Sequence, residues 1–370
     1  MYLKSLSLVN FKNYEQVDIQ LGDKINCFVG ENGVGKTNIL DAVHYLALCK
    51  SNFNPVDSQH ILHNQDFAVI QGLFRRNEKD ENIFCSIRQQ KKKQFKRNGK
   101  EYKKLSEHIG LLPVVMISPF DSILINGGSE ERRRFINGVV AQYNHAYLDN
   151  LIQYNRALSQ RNKLLKDFAT MHSFEPDMLE IWDEQLIRYG QPVFEERKQF
   201  IEKMLPVFSD YYTHVSGGKE EVELLYKSQL TDLDFSAGLQ KALEKDRVLQ
   251  YSSFGVHKDD LEMRIKDHSL KKIGSQGQQK TFLVALKLAE FEFMRQLMDV
   301  RPILLLDDIF DKFDAFRVKQ IISLVAANNF GQIFITDTNQ KRLYDILKEI
   351  PADHKVFSIE DGKLAVKENN

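Results

Sequence analysis

Between the short apolar run Ile25 to Val29 and a stretch with helical spacing (Ile39, Leu40, Val43, Leu46, Ala47) lies Gly30-Glu31-Asn32-Gly33-Val34-Gly35-Lys36-Thr37. This segment has the form G-x-x-x-x-G-K-[ST], and it constrains the fold more than any other. Glycines let the backbone curl so that its N–H groups point inward at phosphate oxygens. The N-terminus of the next helix adds a positive dipole end. Lys36 is then placed for the β- and γ-phosphates and the Thr37 hydroxyl for Mg²⁺. A strand before the loop and an amphipathic helix after it are the required context, and both are written here.

A metal–triphosphate site needs a carboxylate as well. Ile303-Leu304-Leu305-Leu306-Asp307-Asp308 is a buried-strand run ending in two acids. Open α/β sheets bind ligands at the carboxyl edge of such strands. Asp307 is expected to hold Mg²⁺, mostly through water, and Asp308 to orient or deprotonate the attacking water.

The rest of the chain fits an α/β protein. Strand patterns appear at Leu6 to Val9, Val17 to Leu21, Ile83 to Ile87, Val114 to Ile117, Val222 to Tyr226, Leu261 to Ile265 and Ile333 to Ile335. Asn98-Gly99 marks a hairpin turn. From Gly127-Gly128-Ser129 to about Phe208 the pattern turns helical and polar, with Ser129 expected as an N-cap. Pro176, Pro192 and Pro206 are expected to cut this region into helices of moderate length. A long helix is expected from Gln279 to Met298. The expected division is 1–118, a helical lobe over 119–220, and 221–370.

Net charge is uninformative, because 51 basic residues balance 51 acidic ones. Any nucleic-acid surface must come from local segregation. The clearest cluster is Lys91, Lys92, Lys93, Lys96, Arg97, Lys100, Lys103 and Lys104, which reads equally as a solvated face; Arg132-Arg133-Arg134 is a second, and there Glu130 and Glu131 weigh further toward a solvated face. His257 with Asp259 and Asp260 could suggest a metal site, but a strand-end turn or an ATP-interface contact is the favoured reading. Cys27, Cys49 and Cys85 have no paired spacing and are expected as buried thiols, as suits a reducing cytosol. No run approaches a membrane span, so a cytoplasmic protein is expected.

A third motif brings in a family. Ser275-Gln276-Gly277-Gln278-Gln279-Lys280, 32 residues before Asp307, resembles the signature of ABC-type ATPases. Asp307 follows Lys36 by 271 residues, a wide split that resembles SMC-type heads without their coiled coil. Further blocks are similar to the RecF family of DNA replication and repair proteins. They are Leu8 to Tyr14, Gly30 to Ala42, Ser118-Pro119 with Asp121, Gly128-Ser129, Arg132 to Phe135, Tyr154-Asn155, Gln160 to Leu165, Trp182-Asp183, and Gly255 to Leu261. The match runs over nearly the whole chain. Departures are Val256 and Lys258, the segment Ile309 to Phe313, and the absence of a switch histidine at Thr336-Asp337-Thr338.

The resemblance implies an α/β, ABC-type (SMC-like) P-loop ATPase head with an inserted, largely helical second lobe. It implies ATP and Mg²⁺ as cofactors, bound by Gly30, Glu31, Asn32, Gly33, Val34, Gly35, Lys36, Thr37 and Asn38, with Lys12 alongside. Ser275, Gly277 and Gln278 would meet the ATP of a second subunit, and Asp314 would carry the D-loop. It further implies an ATP-dependent homodimer on duplex, gapped and single-stranded DNA, with Lys91, Lys92, Lys93, Lys96 and Arg97 as candidate contacts. RecR and RecO are the implied partners, in loading RecA. Two other classes remain open on the residues: a transporter-energising ATPase subunit, which usually has closer motif spacing, and a nucleotide-dependent nuclease.

Overall fold

The computed structural model describes residues 1–218, 220–310, 315–326, 330–348, 350, 352–360 and 363–367. The chain divides into two compact units. The first contains Met1–Asp121, His214–Gly218 and Lys280–Asn370; the second contains Ser122–Thr213 and Lys219–Gln279.

The first unit holds two six-stranded sheets. One is antiparallel, in the order Tyr14–Gln20, Tyr2–Phe11, Phe67–Arg76, Lys79–Arg88, Gln94–Arg97, Lys100–Glu101. Alternation drives it: Leu6 and Leu8 turn inward on one strand, Ala68, Ile70 and Phe74 on the next, and Ile83, Cys85 and Ile87 on the third. The hairpin closes at Asn98 and Gly99, both at positive φ (50° and 82°), as a two-residue turn requires.

The other sheet runs Lys363–Lys367, His354–Glu360, Ile25–Val29, Ile333–Asp337, Ile303–Asp307, Val114–Ile117. All pairs except the outermost hairpin are parallel. Ile25–Val29, Ile303–Asp307 and Ile333–Asp337 are buried along their whole lengths, which is why they read as unbroken apolar runs rather than alternation.

Helix Lys36–Leu48 packs against strands of both sheets. It is buried almost all round, including Ile39, Leu40, Val43, Tyr45 and Leu46, so the amphipathic reading of this helix is corrected. A Cβ at Gly72 of the antiparallel sheet would meet Leu46 Cδ1 at 2.7 Å, so glycine is what admits the helix there.

The second unit contains helices Ser129–Tyr143, His145–Met171 and Phe235–Leu249, most of helix Pro176–Ser216, and the sheet His268–Ser269, Asp260–Ile265, Val222–Lys227. Three expectations change. Gly128, not Ser129, is the N-cap of its helix, and Ser129 is the first helical residue. Pro192 and Pro206 do not break the chain, which continues as one helix of 41 residues, roughly 60 Å at 1.5 Å per residue. Both prolines are exposed, as are Arg188 and Glu202 four residues earlier, so water can take the bond each proline removes. The opposite face stays buried through Leu179, Leu186, Val193, Phe200, Met204, Phe208 and Tyr212.

Third, residues 219–279 group with the helical unit rather than with the head. The cause is ionic. Arg132 forks onto Asp260 (2.6 and 3.0 Å), and Arg197 reaches both Asp259 Oδ2 and the Val256 carbonyl (2.7 Å each). These bonds tie the helices to the strand Asp260–Ile265 and the turn before it.

Candidate functional site

The loop Gly30–Gly35 leaves the end of a central strand and enters helix Lys36–Leu48. Gly33 and Gly35 have φ of 87° and 111°, a region that glycine adopts without steric penalty. Glycine is needed at position 30 for another reason: a Cβ there would stand 2.5 Å from the Ile359 carbonyl of the neighbouring strand. Beside Gly35 lie Asn13 and Tyr14 from the first hairpin. Asn13 Nδ2 donates to the Val34 carbonyl (2.9 Å), Tyr14 Oη to the Gly35 carbonyl (3.1 Å), and Asn38 Nδ2 to Asn13 Oδ1 (2.7 Å).

Lys36 curls back over the loop, its Nζ donating to the carbonyls of Gly30 (2.8 Å) and Glu31 (2.7 Å). Burial lowers its pKa, opposed by Asp308, Asp307 and Asp337. Thr37 Oγ1 donates to Asp307 Oδ1 at 2.8 Å, joining residues 270 apart in sequence. Asp307 also accepts from Thr336 Oγ1 (2.8 Å), and burial raises its pKa above the usual carboxylate range. Asp308 follows at φ 48°, its N–H donating to Thr336 Oγ1 (2.9 Å). A cavity of about 150 Å³ is lined by Asn32, Gly33, Gly35, Lys36, Thr37, Asn38, Asp307, Asp308 and Thr336. A hydroxyl and a carboxylate meeting at one point form a hard-oxygen donor set that suits Mg²⁺.

Thr336 is the residue the sequence reading passed over. The apolar run Ile333 to Ile335 pointed to its strand, and the parallel register Asp307↔Thr336 places it beside the acid. Lys12, associated with the nucleotide by resemblance, is placed on Asp41 (2.6 Å) with its ammonium over Phe53. Asp41 also accepts from Ser51 Oγ and Asn52 N, so this cluster pins the first hairpin to the helix behind the loop. Asp314 lies outside the described residues.

Ser275 and Gln278 form a reciprocal cap at the start of helix Gln276–Leu297. Gln278 N donates to Ser275 Oγ (3.2 Å) and Ser275 N to Gln278 Oε1 (2.7 Å). Ser275 is exposed, Gly277 is in the first turn, and Gln278 Nε2 also holds Glu220.

The basic groups separate on inspection. Lys93 ties Asp57 (3.1 Å) to the Cys49 carbonyl (2.6 Å), and Arg97 forks onto Glu81 (2.8 and 2.5 Å). Lys96 lies over the Phe84 ring, while Lys91 and Lys92 are exposed. Arg132 and Arg133 are engaged by Asp260 and by the Asp259 carbonyl, and Arg134 by Glu130 and Glu131. Both ring nitrogens of His257 are occupied, by Tyr154 Oη and the Ser252 carbonyl, which favours the strand-end turn over a metal site. Among the described residues no group of three or more His, Cys, Asp and Glu side chains is placed to hold a metal, and no helix is long and apolar enough to cross a membrane. The three cysteines are buried free thiols.

Comparison with known proteins agrees over the whole length. The model of the RecF/RecN/SMC N-terminal domain matches residues 2–358. The DNA replication and repair protein RecF of Bacteroides thetaiotaomicron is 51% identical over 365 residues, covering 98% of each chain. That of Flavobacterium johnsoniae is 48% identical over 359 residues, covering 97% of this chain and all of the relative. The solved structure of the recombination mediator protein RecF with ATP, in the RecFOR pathway, superimposes with a TM-score of 0.89 at 27% identity, covering 99% of this chain and 98% of that one. An SMC head bound to the C-winged helix domain of ScpA shares the fold, with a TM-score of 0.58 at 17% identity. The chain belongs to the RecF family of DNA replication and repair proteins, ABC-type ATPases built on the SMC-like head.

Proposed function

We propose that this chain is an ATP- and Mg²⁺-dependent clamp on duplex DNA near single-strand gaps, closed by dimerisation and opened by slow hydrolysis. The observation that carries the reading is the Thr37–Asp307 hydrogen bond, which closes the loop with a carboxylate from a distant strand. Lys36 exchanges its two carbonyl partners for the β- and γ-phosphates. Thr37 and Asp307 hold Mg²⁺, which when bound neutralises charge on the phosphate oxygens. Asp308 orients or deprotonates the attacking water.

The exposed cap at Ser275 supports the second half of the reading. A hydroxyl and a glycine at a helix start, whose capping bonds would be exchanged for phosphate oxygens, make an anion site on a surface that a second copy can reach. Two subunits would sandwich two ATPs, each between Lys36 of one copy and Ser275 of the other. Contacts formed only in the dimer shift monomer to dimer by mass action. DNA would lie across the paired heads, with Lys91 and Lys92 among the exposed cations of the basic cluster. RecR and RecO would be the partners through which RecA loading is helped, as the RecFOR association of the structural relative suggests.

Sedimentation tests the clamp. The expected result is a monomer without nucleotide and a dimer with ATP and Mg²⁺; a monomer at saturating ATP would refute it. Asp308→Asn should lower turnover by roughly 100- to 10,000-fold and hold the dimer in its ATP-bound state. Normal turnover in that variant removes Asp308 from the hydrolytic role.

A further inference from the structure

Asp308 stands in the left-handed region at φ 48°, where a side chain with a Cβ is disfavoured unless neighbours hold it. The adjacent strand holds Asp308 directly at one residue, and the next residue is tied through Arg342 to the stretch beyond it. The first is Thr336, whose Oγ1 accepts from Asp308 N at 2.9 Å and donates to Asp307 Oδ1 at 2.8 Å. The second is Asp337, fully buried and forked by Arg342, with Nη2 to Oδ1 at 2.7 Å and Nε to Oδ2 at 3.0 Å.

The same guanidinium reaches the stretch that follows Asp308. Arg342 Nη1 donates to the Phe310 carbonyl at 3.2 Å. Arg342 is itself fixed: its N–H donates to Asn339 Oδ1 (3.0 Å) at the start of helix Gln340–Lys348, and Asn339 N donates to Asp337 Oδ1 (2.7 Å). Residues 308 to 310 are thus gripped at both ends, by Thr336 at the amide of 308 and by Arg342 at the carbonyl of 310. Phe310 and Ile309 are themselves buried, so little else can shift to absorb a slackened grip.

We infer that Arg342 is a positioning residue for hydrolysis: through the Phe310 carbonyl and Asp337 it holds the Asp308 carboxylate in the orientation that aligns the attacking water. The inference rests on the hydrolytic reading of Asp308 given above. The planar fork matters because two of its nitrogens match both oxygens of Asp337 while the third reaches the Phe310 carbonyl. Lysine keeps the charge and three donors, but on a single nitrogen that cannot reproduce this spacing.

The test uses the full chain with Arg342→Lys, Arg342→Gln and Asp308→Asn. It measures single-turnover ATP hydrolysis per nucleotide-binding site, ATP·Mg affinity, and thermal midpoint. The expected result for Arg342→Lys is a 10- to 100-fold fall in turnover with affinity held within about two-fold, the scale on which a misplaced reacting group acts. Arg342→Gln should fall at least as far; should it fail to fold, Arg342→Lys still decides. Turnover near wild type in Arg342→Lys, with Asp308→Asn inactive, overturns the inference and leaves the Asp308 reading standing. A lowered midpoint with unchanged turnover per binding site reduces Arg342 to a structural brace. Equal losses in affinity and turnover make it a binding residue instead. Full activity in Asp308→Asn brings down the underlying reading, and the inference with it.

Discussion

In the helical unit Arg161 is enclosed by Asp183 (2.5 Å), Asp246 (2.6 Å) and Ser252, and Arg197 by Asp259, Tyr147 and Asn137. At the phosphate loop Lys36 is met only by carbonyls and Asp307 by two hydroxyls. Elsewhere in the head unit, Lys12–Asp41 and Lys287–Glu290 follow the first pattern. Neutral partners are therefore a property of the phosphate site and not of the whole unit. A charge matched by a buried counter-charge cannot leave without stranding its partner. A charge held by neutral dipoles can change partners when a phosphate or a metal arrives, because what it leaves behind is uncharged.

The contrast predicts opposite consequences for removing a cation. Arg197→Met strands Asp259 and should cost about 3–5 kcal/mol, read as a lowered urea midpoint. A loss below about 1 kcal/mol would put the helical unit's ion pairs in the exchangeable class. Lys36→Met should change stability by about 1 kcal/mol or less but weaken hydrolysis on the order of 100-fold. If its main effect were on folding, the comparison would fail at its other end.

The smallest effect concerns pH. The pKa of Asp307 is raised in the folded protein, so its contribution to stability is full below the ordinary 3.8 and is lost as pH rises through the elevated value. Asp307→Asn should therefore raise the thermal midpoint of the nucleotide-free protein at pH above the raised value and flatten the decline that accompanies the rise in pH through it. Buried His44, His108 and His257 act with the opposite sign. Each is held neutral by burial down to about 4, so stability they supply above pH 6.5 is lost as the medium is acidified toward pH 4. Scanning both limbs separates the two kinds of group.

Legibility in the sequence followed the range of the interactions. Ile25–Val29 and Val114–Ile117 fall where their apolar runs put them, because a strand covered on both faces needs nothing else to declare itself. Asn98-Gly99 gave its hairpin through local backbone preference alone. The failures needed tertiary knowledge. Whether a proline ends a helix depends on whether water reaches the carbonyl four residues before it, and neither Pro192 nor Pro206 states its own exposure. Arg132 and Arg133 look like a phosphate patch until Asp260 and the Asp259 carbonyl are brought to them across more than 120 residues. Thr336 and Arg342 carry no motif, and only sheet register and helix placement reveal their connection to Asp307 and Asp308.

Strand Ile25–Val29 has as its two neighbours Ile333–Asp337 and His354–Glu360. On a translating ribosome both strands that flank the loop's own are made about 300 residues or more after it. At roughly 5–20 residues per second the interval is on the order of 15 to 60 seconds. The antiparallel sheet can zip up as it emerges, since its partners all lie between Tyr2 and Glu101. The nucleotide loop must wait beside an unclaimed edge until those two later strands have been made.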